Sequence, residues 1–234
     1  MTEYNIRPIA KIHNPFKDKF GIPRQSNLAD GIMSTIIFEE SYRDDNSLRG
    51  LEEYSHIWLL WIFNEADSKK DWSPTVRPPR LGGNKRMGVF STRSPFHPNK
   101  IGLSCVKISS IEKTKEFGTV INVLGADLMD GTPIIDIKPY LSFTDSHPDA
   151  KCGFAENVFD YELDVTIPKE IEQEMDDNTR TAITAILKQD PRPPYHNDPD
   201  RIYAICYDDF EIKFKVLDKT LTVTSFDKKN GSEK

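Results

Sequence analysis

The sequence lacks long hydrophobic runs. Its longest uninterrupted apolar stretch, Ile57 to Phe63, has seven residues, whereas a membrane-spanning helix needs about 20. The first ten residues contain no basic cluster followed by an apolar region, as a secretion signal would require. We therefore expect no membrane partner and a cytoplasmic location.

Cysteine is also scarce. The three cysteines, Cys105, Cys152 and Cys206, are widely spaced and form no CxxC pair, which argues against a disulfide framework and against a zinc ribbon. The five histidines show no metal-ligand spacing either. We expect a protein of a reducing compartment that needs no metal.

Several nucleotide-binding and hydrolytic motifs are missing. The sequence has no GxxxxGK[ST], no GxGxxG, no HExxH and no GxSxG. These absences argue against an ordinary P-loop or Rossmann protein, a zinc protease of the HExxH type and an α/β-hydrolase.

Acidic residues are absent from one long segment of an otherwise acidic chain. The net charge is −6, yet residues 73–111 contain seven basic residues and no Asp or Glu, which leaves 24 basic against 37 acidic residues elsewhere. The segment also combines prolines, paired glycines and aromatic residues, a composition suited to an ordered loop that approaches an anion. An RNA or a nucleotide cofactor is the ligand class that this pattern favours over a merely solvated basic loop.

Short extended segments bounded by Gly, Pro, Asn or Asp predict a mainly β protein. The expected architecture is an N-terminal antiparallel β-barrel, residues 5–145, followed by a smaller α+β C-terminal region, residues 153–226. A helix is predicted from Pro168 to Lys188, where apolar residues recur at helical spacing. The polar residues 227–234 are predicted to form a disordered tail.

Five motifs, in order along nearly the whole chain, carry a family resemblance. They are PRQ at Pro23 to Gln25, RGLEEYSHIWLLWIF from Arg49, RPPRLGGNKRMGVFSTRSPFHPNKIGLS from Arg77, DLMDGTPIIDIKPY from Asp127 and QDPRPPY from Gln189. The sequence resembles the TsaA-like, or TrmO-type, tRNA adenine-N6-methyltransferases.

The resemblance implies a homodimeric β-barrel enzyme that uses S-adenosylmethionine. Its implied substrate is N6 of threonylcarbamoyladenosine at position 37, beside the anticodon of threonine-decoding tRNA. The residues implied to bind the cofactor are Pro23, Arg24, Gln25, Asn64, Glu65, Arg93, Leu103, Leu124, Gly125, Ala126 and Asp127. The chain departs from the family pattern at Asn64-Glu65, where the family has His followed by Gln or Lys, and at His97, where it has Arg.

The acceptor nitrogen requires help, because its lone pair is delocalised and its proton must leave. Asp190 and Tyr195 are the candidate catalytic residues, with Arg192 as a fork for the threonyl carboxylate. An equally open interpretation makes QDPRPPY a stiff packing element between the two regions. Candidate tRNA contacts are Arg77, Arg80, Lys85, Arg86, His97 and Lys100, with bases stacking on Phe96 or Tyr195.

Two other functions remain open from the residues. One is a non-catalytic barrel that binds RNA or a nucleotide through the basic loop. The other is a methyltransferase that acts on a different small acceptor.

Overall fold

The computed structural model describes residues 2–29, 31–65, 72–78, 81, 85–158, 161–193 and 198–229, and the structural statements below refer to these residues. Arg80 and Tyr195, two of the candidate site residues, lie outside the described residues.

Six antiparallel strands form the N-terminal sheet. They are β1 (Ala10–His13), β2 (Met33–Phe38), β3 (His56–Ile62), β6 (Ile101–Thr114), β7 (Gly118–Leu124) and β8 (Pro133–Pro139). They pair in the order β1-β2-β7-β6-β3-β8, and β8 pairs again with β1, so the sheet closes on itself. This ring of strands positions the loops that form the site described below.

Alternation along the strands fills the interior of the ring. In β3, the residues Ile57, Leu59 and Trp61 are buried while their neighbours are only partly covered. They pack with buried residues from the other strands, including Ile12 and Ile121. Every second side chain of a strand points to the same face, so the apolar run from Ile57 supplies one stripe of the core.

Two short strands within the acid-free segment, residues 73–111, pair to form a two-stranded ribbon. It consists of β4 (Thr75–Val76) and β5 (Met87–Gly88), paired antiparallel with Thr75 opposite Gly88. A short 3-10 turn, Val89–Ser91, follows β5 and is anchored by the buried Val89.

The C-terminal region packs a helix against a second sheet. The sheet order is β10 (Tyr203–Tyr207), β11 (Phe210–Leu217), β12 (Thr220–Lys228) and β9 (Asp164–Thr166), with only β9 and β12 parallel. The helices are α1 (Ser142–Asp145), α2 (Lys169–Glu172) and α3 (Asp177–Lys188). None of the helices in the described part of the chain has the length and apolar character needed to cross a membrane.

The segment between β1 and β2 crosses to the C-terminal region. Phe16 is fully buried among C-terminal residues and its ring meets the Tyr207 ring edge-on, with centroids 6.2 Å apart. The Asn14 side chain donates to the Leu128 carbonyl at 2.8 Å and accepts from the Phe16 amide at 2.9 Å. The loop that carries PRQ is therefore held between the barrel and the C-terminal core.

The structure confirms a mainly β protein and corrects two expected elements. The helix predicted over Pro168 to Lys188 is interrupted, because the Asp176 carboxylate caps α3 by accepting from the amides of Asn178 and Thr179. The tail predicted from Asp227 begins too early, since β12 continues to Lys228 and pairs there with Phe210. Residues 230–234 lie outside the described part of the chain.

A pair of glycine substitutions tests how the turn after β7 is fixed. Gly125 has φ +79° and a Cβ there would overlap the Asn27 side chain, whereas Gly131 has φ +75° and open space around it. We expect Gly131→Ala to lower the free energy of unfolding by about 1 kcal/mol through left-handed strain alone. Gly125→Ala should lose about 1–3 kcal/mol more in urea unfolding.

Asn27→Gly provides the matched background for this comparison, because it removes the side chain that the new methyl group meets. The excess cost of Gly125→Ala over Gly131→Ala should shrink in that background. Equal losses for the two alanine variants in both backgrounds would contradict the proposed contact.

Candidate functional site

One cavity of about 620 Å³ opens at the end of the barrel where β3 ends and β6 begins. Its walls come from the loop after β1, from the ends of β3 and β6, from residues 92–97 and from the turn between β7 and β8. The apolar wall includes Trp61, Phe63, Ile101, Leu103 and Met129. Volumes of this size are typical of sites for nucleotide-sized ligands.

A hydrogen-bonded chain joins three elements at the cavity wall. The Trp61 indole Nε1 donates to the Ser104 hydroxyl at 2.9 Å, and that hydroxyl donates to Asp127 Oδ1 at 2.5 Å. Trp61 lies on β3, Ser104 on β6 and Asp127 in the turn after β7. These two hydrogen bonds fix the indole ring and the carboxylate relative to each other.

Burial raises the pKa of the Asp127 carboxyl above its ordinary value, because desolvation penalises the charged form. Hydrogen bonds from Ser104 and from backbone amides oppose this effect, as does the positive charge of Arg93. Asp127 is thus a carboxylate with little solvation of its own, which suits it to accept hydrogen bonds from a bound ligand.

Arg24 and Arg93, the two arginines of the cavity, each donate a hydrogen bond to another residue of the same chain. The Arg93 guanidinium donates to Gln25 Oε1 at 2.6 Å, and Gln25 Nε2 donates to the Arg24 carbonyl at 2.7 Å. Arg24 Nη2 donates to the carbonyl of Asp190 at 3.0 Å. These contacts connect PRQ, the segment TRS (Thr92 to Ser94) and QDPRPPY, which are far apart in sequence.

Gly102 allows the Trp61 ring to lie against β6. The two residues are direct partners in the ladder between β3 and β6, and a Cβ at Gly102 would overlap the indole ring. Any larger residue would push Trp61 from its position in the cavity wall. This close packing explains the glycine in the segment IGLS (Ile101 to Ser104).

Eight of the eleven residues predicted to bind the cofactor line this cavity. They are Pro23, Arg24, Gln25, Asn64, Glu65, Arg93, Leu103 and Asp127. The remaining three, Leu124, Gly125 and Ala126, do not line it. Ala126 packs into the barrel core, and the Gly125 carbonyl accepts from the Asn27 amide at 2.9 Å.

The residues predicted to contact tRNA fall into separate places. His97 lines the cavity and its Nε2 lies 2.9 Å from the Thr92 carbonyl, whereas Arg77, Lys85, Arg86 and Lys100 do not line it. Arg77, Lys85 and Arg86 are exposed around the ribbon of β4 and β5. Residues 89–91 connect this ribbon to the cavity-lining residues 92–97.

Asp190 and Arg192 pair with each other outside the cavity lining. Arg192 Nε and Nη2 donate to the two carboxylate oxygens at 2.7 and 2.8 Å, and the Tyr161 hydroxyl donates to Asp190 Oδ2 at 3.1 Å. Burial opposes ionisation of Asp190, but the hydrogen bonds and charge of Arg192 outweigh it, so the pKa lies below the ordinary value. A carboxylate held in this way is a weak proton acceptor.

The sequence reading missed part of the cavity wall. Trp61, Phe63 and Met129 line the cavity and Ser104 joins Trp61 to Asp127, but the sequence motifs do not predict these roles. One feature of the sequence indicates part of this wall. The apolar run that contains Trp61 ends at Phe63, directly before Asn64 and Glu65, which are two of the residues predicted to bind the cofactor.

Comparison with known proteins covers most of the chain. The model of the tRNA-methyltransferase O N-terminal domain matches residues 11–146, and that of the TrmO C-terminal domain matches residues 160–229. The chain belongs to the TrmO family. The resemblance identified from the motifs is therefore confirmed.

Relatives of this TrmO-family chain match over most of their length. A protein of Escherichia coli named tRNA (adenine(37)-N6)-methyltransferase is 39% identical over 227 residues, covering 93% of this chain and 95% of that protein. One of the same name from Eikenella corrodens is 46% identical over 164 residues, covering 70% and 91%. A crystal structure of TrmO from Pseudomonas aeruginosa superposes with a TM-score of 0.78 at 29% identity, covering 97% of this chain and 98% of the other.

Metal-binding clusters are not found in the described part of this TrmO-family chain. No group of three or more His, Cys, Asp or Glu side chains there could hold a metal ion. The polar groups that line the cavity are arginine, lysine, histidine, amide, hydroxyl and carboxylate groups, which recognise organic ligands by hydrogen bonds.

The raised pKa of Asp127 predicts that this carboxyl lowers stability at neutral pH. Because the folded-state pKa lies above the unfolded one, the destabilisation develops as the pH rises through that interval and is complete above it. Asp127→Asn should therefore raise the melting temperature at neutral pH, with a difference that disappears near the ordinary carboxyl pKa of 3.8.

Asp130→Asn is the matched control in the same turn. Burial opposes ionisation there too, but the hydrogen bonds from Lys17 and Asn14 hold the pKa of Asp130 below its ordinary value. The stabilisation from this carboxylate is present at neutral pH and is lost as the pH falls, so Asp130→Asn should lower the melting temperature at neutral pH. The same sign of shift for both variants would refute the assignment.

Proposed function

We propose that this chain is an S-adenosylmethionine-dependent methyltransferase that methylates N6 of adenosine 37 in tRNA. The observation that carries this proposal is the convergence of PRQ, TRS, IGLS and Asp127 on one cavity. Full-length similarity to relatives named tRNA (adenine(37)-N6)-methyltransferase supports the same activity.

The cavity fits S-adenosylmethionine in size and in donor set. Its volume of about 620 Å³ suits a ligand that combines a nucleoside with an amino acid. Arg24 and Arg93 offer donors for the carboxylate, and Asp127 offers an acceptor for a ribose hydroxyl or an amino group. The rings of Trp61 and Phe63, with centroids 4.2 Å apart, offer an apolar surface for the adenine.

When bound, S-adenosylmethionine supplies an electrophilic methyl group on a sulfonium centre. The residues of the chain then have two tasks, alignment and exclusion of water. The Trp61–Ser104–Asp127 chain and the Arg93–Gln25 pair provide the alignment, because each polar group is fixed by its neighbour. Leu103, Ile101 and Met129 provide apolar cover.

We propose that the methylated adenosine is N6-threonylcarbamoyladenosine in threonine-decoding tRNA. It follows from the family resemblance and agrees with the positive charge beside the cavity, since a tRNA presents phosphates around its anticodon loop. Arg77, Lys85 and Arg86 are the exposed residues proposed for this contact, together with Arg80 and Lys100.

Asp190 is better suited to positioning than to proton transfer. Both oxygens of its carboxylate accept hydrogen bonds, its pKa is lowered, and its carbonyl holds Arg24 at the cavity. We therefore propose that the pair of Asp190 and Arg192 fixes Arg24 and ties the C-terminal region to the cofactor site. Tyr195, the other candidate catalytic residue, stays a prediction.

The proposal includes the assembly expected from the resemblance. We propose a homodimer of chains in the cytoplasm, each with a barrel domain and a C-terminal domain divided near residues 145–153. The separate cores of the two regions support the division. Sedimentation of the purified chain, with a single-chain mass of 26.8 kDa, tests the dimer.

Nucleoside mass analysis tests the activity and the substrate together. The purified protein is incubated with S-adenosylmethionine and with tRNA that either carries or lacks the threonylcarbamoyl group. We expect a mass increase of one methyl group only on the threonylcarbamoylated nucleoside. Methylation of unmodified adenosine would change the substrate assignment. Methylation of a small non-tRNA acceptor alone would favour a methyltransferase that acts on a different small acceptor.

Arg93→Gln is the matched site variant for that experiment. Losing a charged donor in the cavity should weaken binding of S-adenosylmethionine about 10- to 100-fold, measured by calorimetry, while the fold is retained. A wild-type protein that binds tRNA but gains no stability from S-adenosylmethionine would favour a non-catalytic RNA-binding barrel.

Asp190→Asn separates positioning from base catalysis. Positioning predicts that the Kd for S-adenosylmethionine rises about 10-fold, because Arg24 loses its fixed orientation, while the pH dependence of the single-turnover rate at saturating cofactor is unchanged. If Asp190 is instead a general base, the Kd for S-adenosylmethionine should stay unchanged and the pH dependence of the single-turnover rate should change. Tyr161→Phe keeps the ion pair and removes one hydrogen bond, so it should show a smaller effect in the same direction and serves if the first variant folds poorly.

A further inference from the structure

Two large aromatic side chains are exposed next to the cavity. Phe90 is 75% exposed and Trp72 is 52% exposed, yet their rings stack on each other with centroids 6.3 Å apart and an angle of 29° between the planes. Aromatic rings are ordinarily buried, so a stacked pair in solvent suggests a ligand with a flat face.

The turn that carries Phe90 is anchored, which directs its ring outward. Val89 is buried, its amide donates to the Pro74 carbonyl at 2.9 Å, and its carbonyl accepts from the Thr92 hydroxyl at 2.7 Å. The ring of Phe90 therefore extends from a fixed backbone rather than from a loop held only at its ends.

The aromatic pair is continuous with the proposed methyl-donor site. The Phe90 ring meets the His97 imidazole edge-on, with centroids 5.7 Å apart, and His97 lines the cavity. Phe96, which is 44% exposed, lines the same side. One surface thus runs from Trp72 across Phe90 and His97 into the cavity.

The charge around the pair favours a polyanion. Arg86, which directly precedes β5, is exposed and donates to the Thr75 hydroxyl of β4 at 3.2 Å. Lys85 and Arg77 are exposed nearby in a segment of 39 residues that has no acidic residue. Flat apolar rings within a basic surface match the bases and phosphates of single-stranded RNA.

We propose that Phe90 and Trp72 form a stacking platform for an unpaired anticodon-loop base of the RNA substrate, next to the base that is methylated. This inference rests on the proposed function, and it adds the residues that hold the loop open beside the cavity. Stacking on the platform stabilises the splayed loop, while Arg86 and its neighbours bind phosphates.

The test compares Phe90→Leu with Phe90→Trp in the full chain. Leucine keeps apolar volume and removes the aromatic face, whereas tryptophan keeps the face. With an anticodon stem-loop RNA, Phe90→Leu should raise the Kd about 10-fold and Phe90→Trp should restore it. A 2-aminopurine in the loop should show less quenching when bound to Phe90→Leu than when bound to the wild type.

Two further variants separate stacking from other effects. Phe143→Leu replaces a Phe on α1 that is 86% exposed and does not line the cavity, and it should leave RNA affinity unchanged. Arg86→Gln should reduce the slope of log K against log salt by about 1, while Phe90→Leu should leave the slope and the Kd for S-adenosylmethionine unchanged.

Equal RNA affinity for the wild type and Phe90→Leu would overturn the platform. So would a change of oligomeric mass on Phe90→Leu, since the ring would then serve contact with a second copy of the chain. Wild-type methylation of tRNA is scored separately, so a failure of the platform and a failure of the proposed activity remain distinguishable.

Discussion

The Ser104 hydroxyl joins the three elements on which the site depends. It accepts from the Trp61 indole and donates to Asp127, so β3, β6 and the turn after β7 are fixed relative to one another. Gly102 makes this possible, because only a residue without Cβ lets the indole ring lie against β6. Asp127 remains ionisable in a place where its charge is poorly solvated, which costs stability and prepares it to accept hydrogen bonds.

The described residues of the C-terminal region do not line the cavity, but they contribute to its shape. Phe16 inserts the loop after β1 into the C-terminal core, and the Asp190 carbonyl orients Arg24. Buried ion pairs give little net stability, but a bidentate pair of Asp190 and Arg192 gives a defined backbone geometry at that carbonyl. The C-terminal region therefore helps to fix the shape of the cavity wall, while the proposed RNA contacts lie around the ribbon of β4 and β5.

Particular residues show how far sequence reading reached. Pro23, Arg93 and Leu103 were expected at the site from their motifs, and all three line the cavity. Leu124, Gly125 and Ala126 are expected there too, but they do not line the cavity, and Ala126 packs into the barrel core. Residues in one motif can face opposite sides of a turn, and a sequence does not show which of them faces the ligand. The sequence pattern also does not show the break before α3, which the Asp176 cap marks. Apolar residues keep their helical spacing across the break, so the pattern predicts one helix where the structure has two.

The sequence by itself determined the family, the strand pattern and the acid-free basic segment, because these depend on residue type and order alone. Tertiary structure decided which side chains meet: Trp61 with Ser104 and Asp127, Arg24 with the carbonyl of Asp190, and Phe90 with Trp72 and His97. These contacts join residues that are distant in the chain, and their geometry follows from strand register and loop packing. Hydrogen bonds and ring contacts require positions within a fraction of an ångström, which local sequence preferences do not specify.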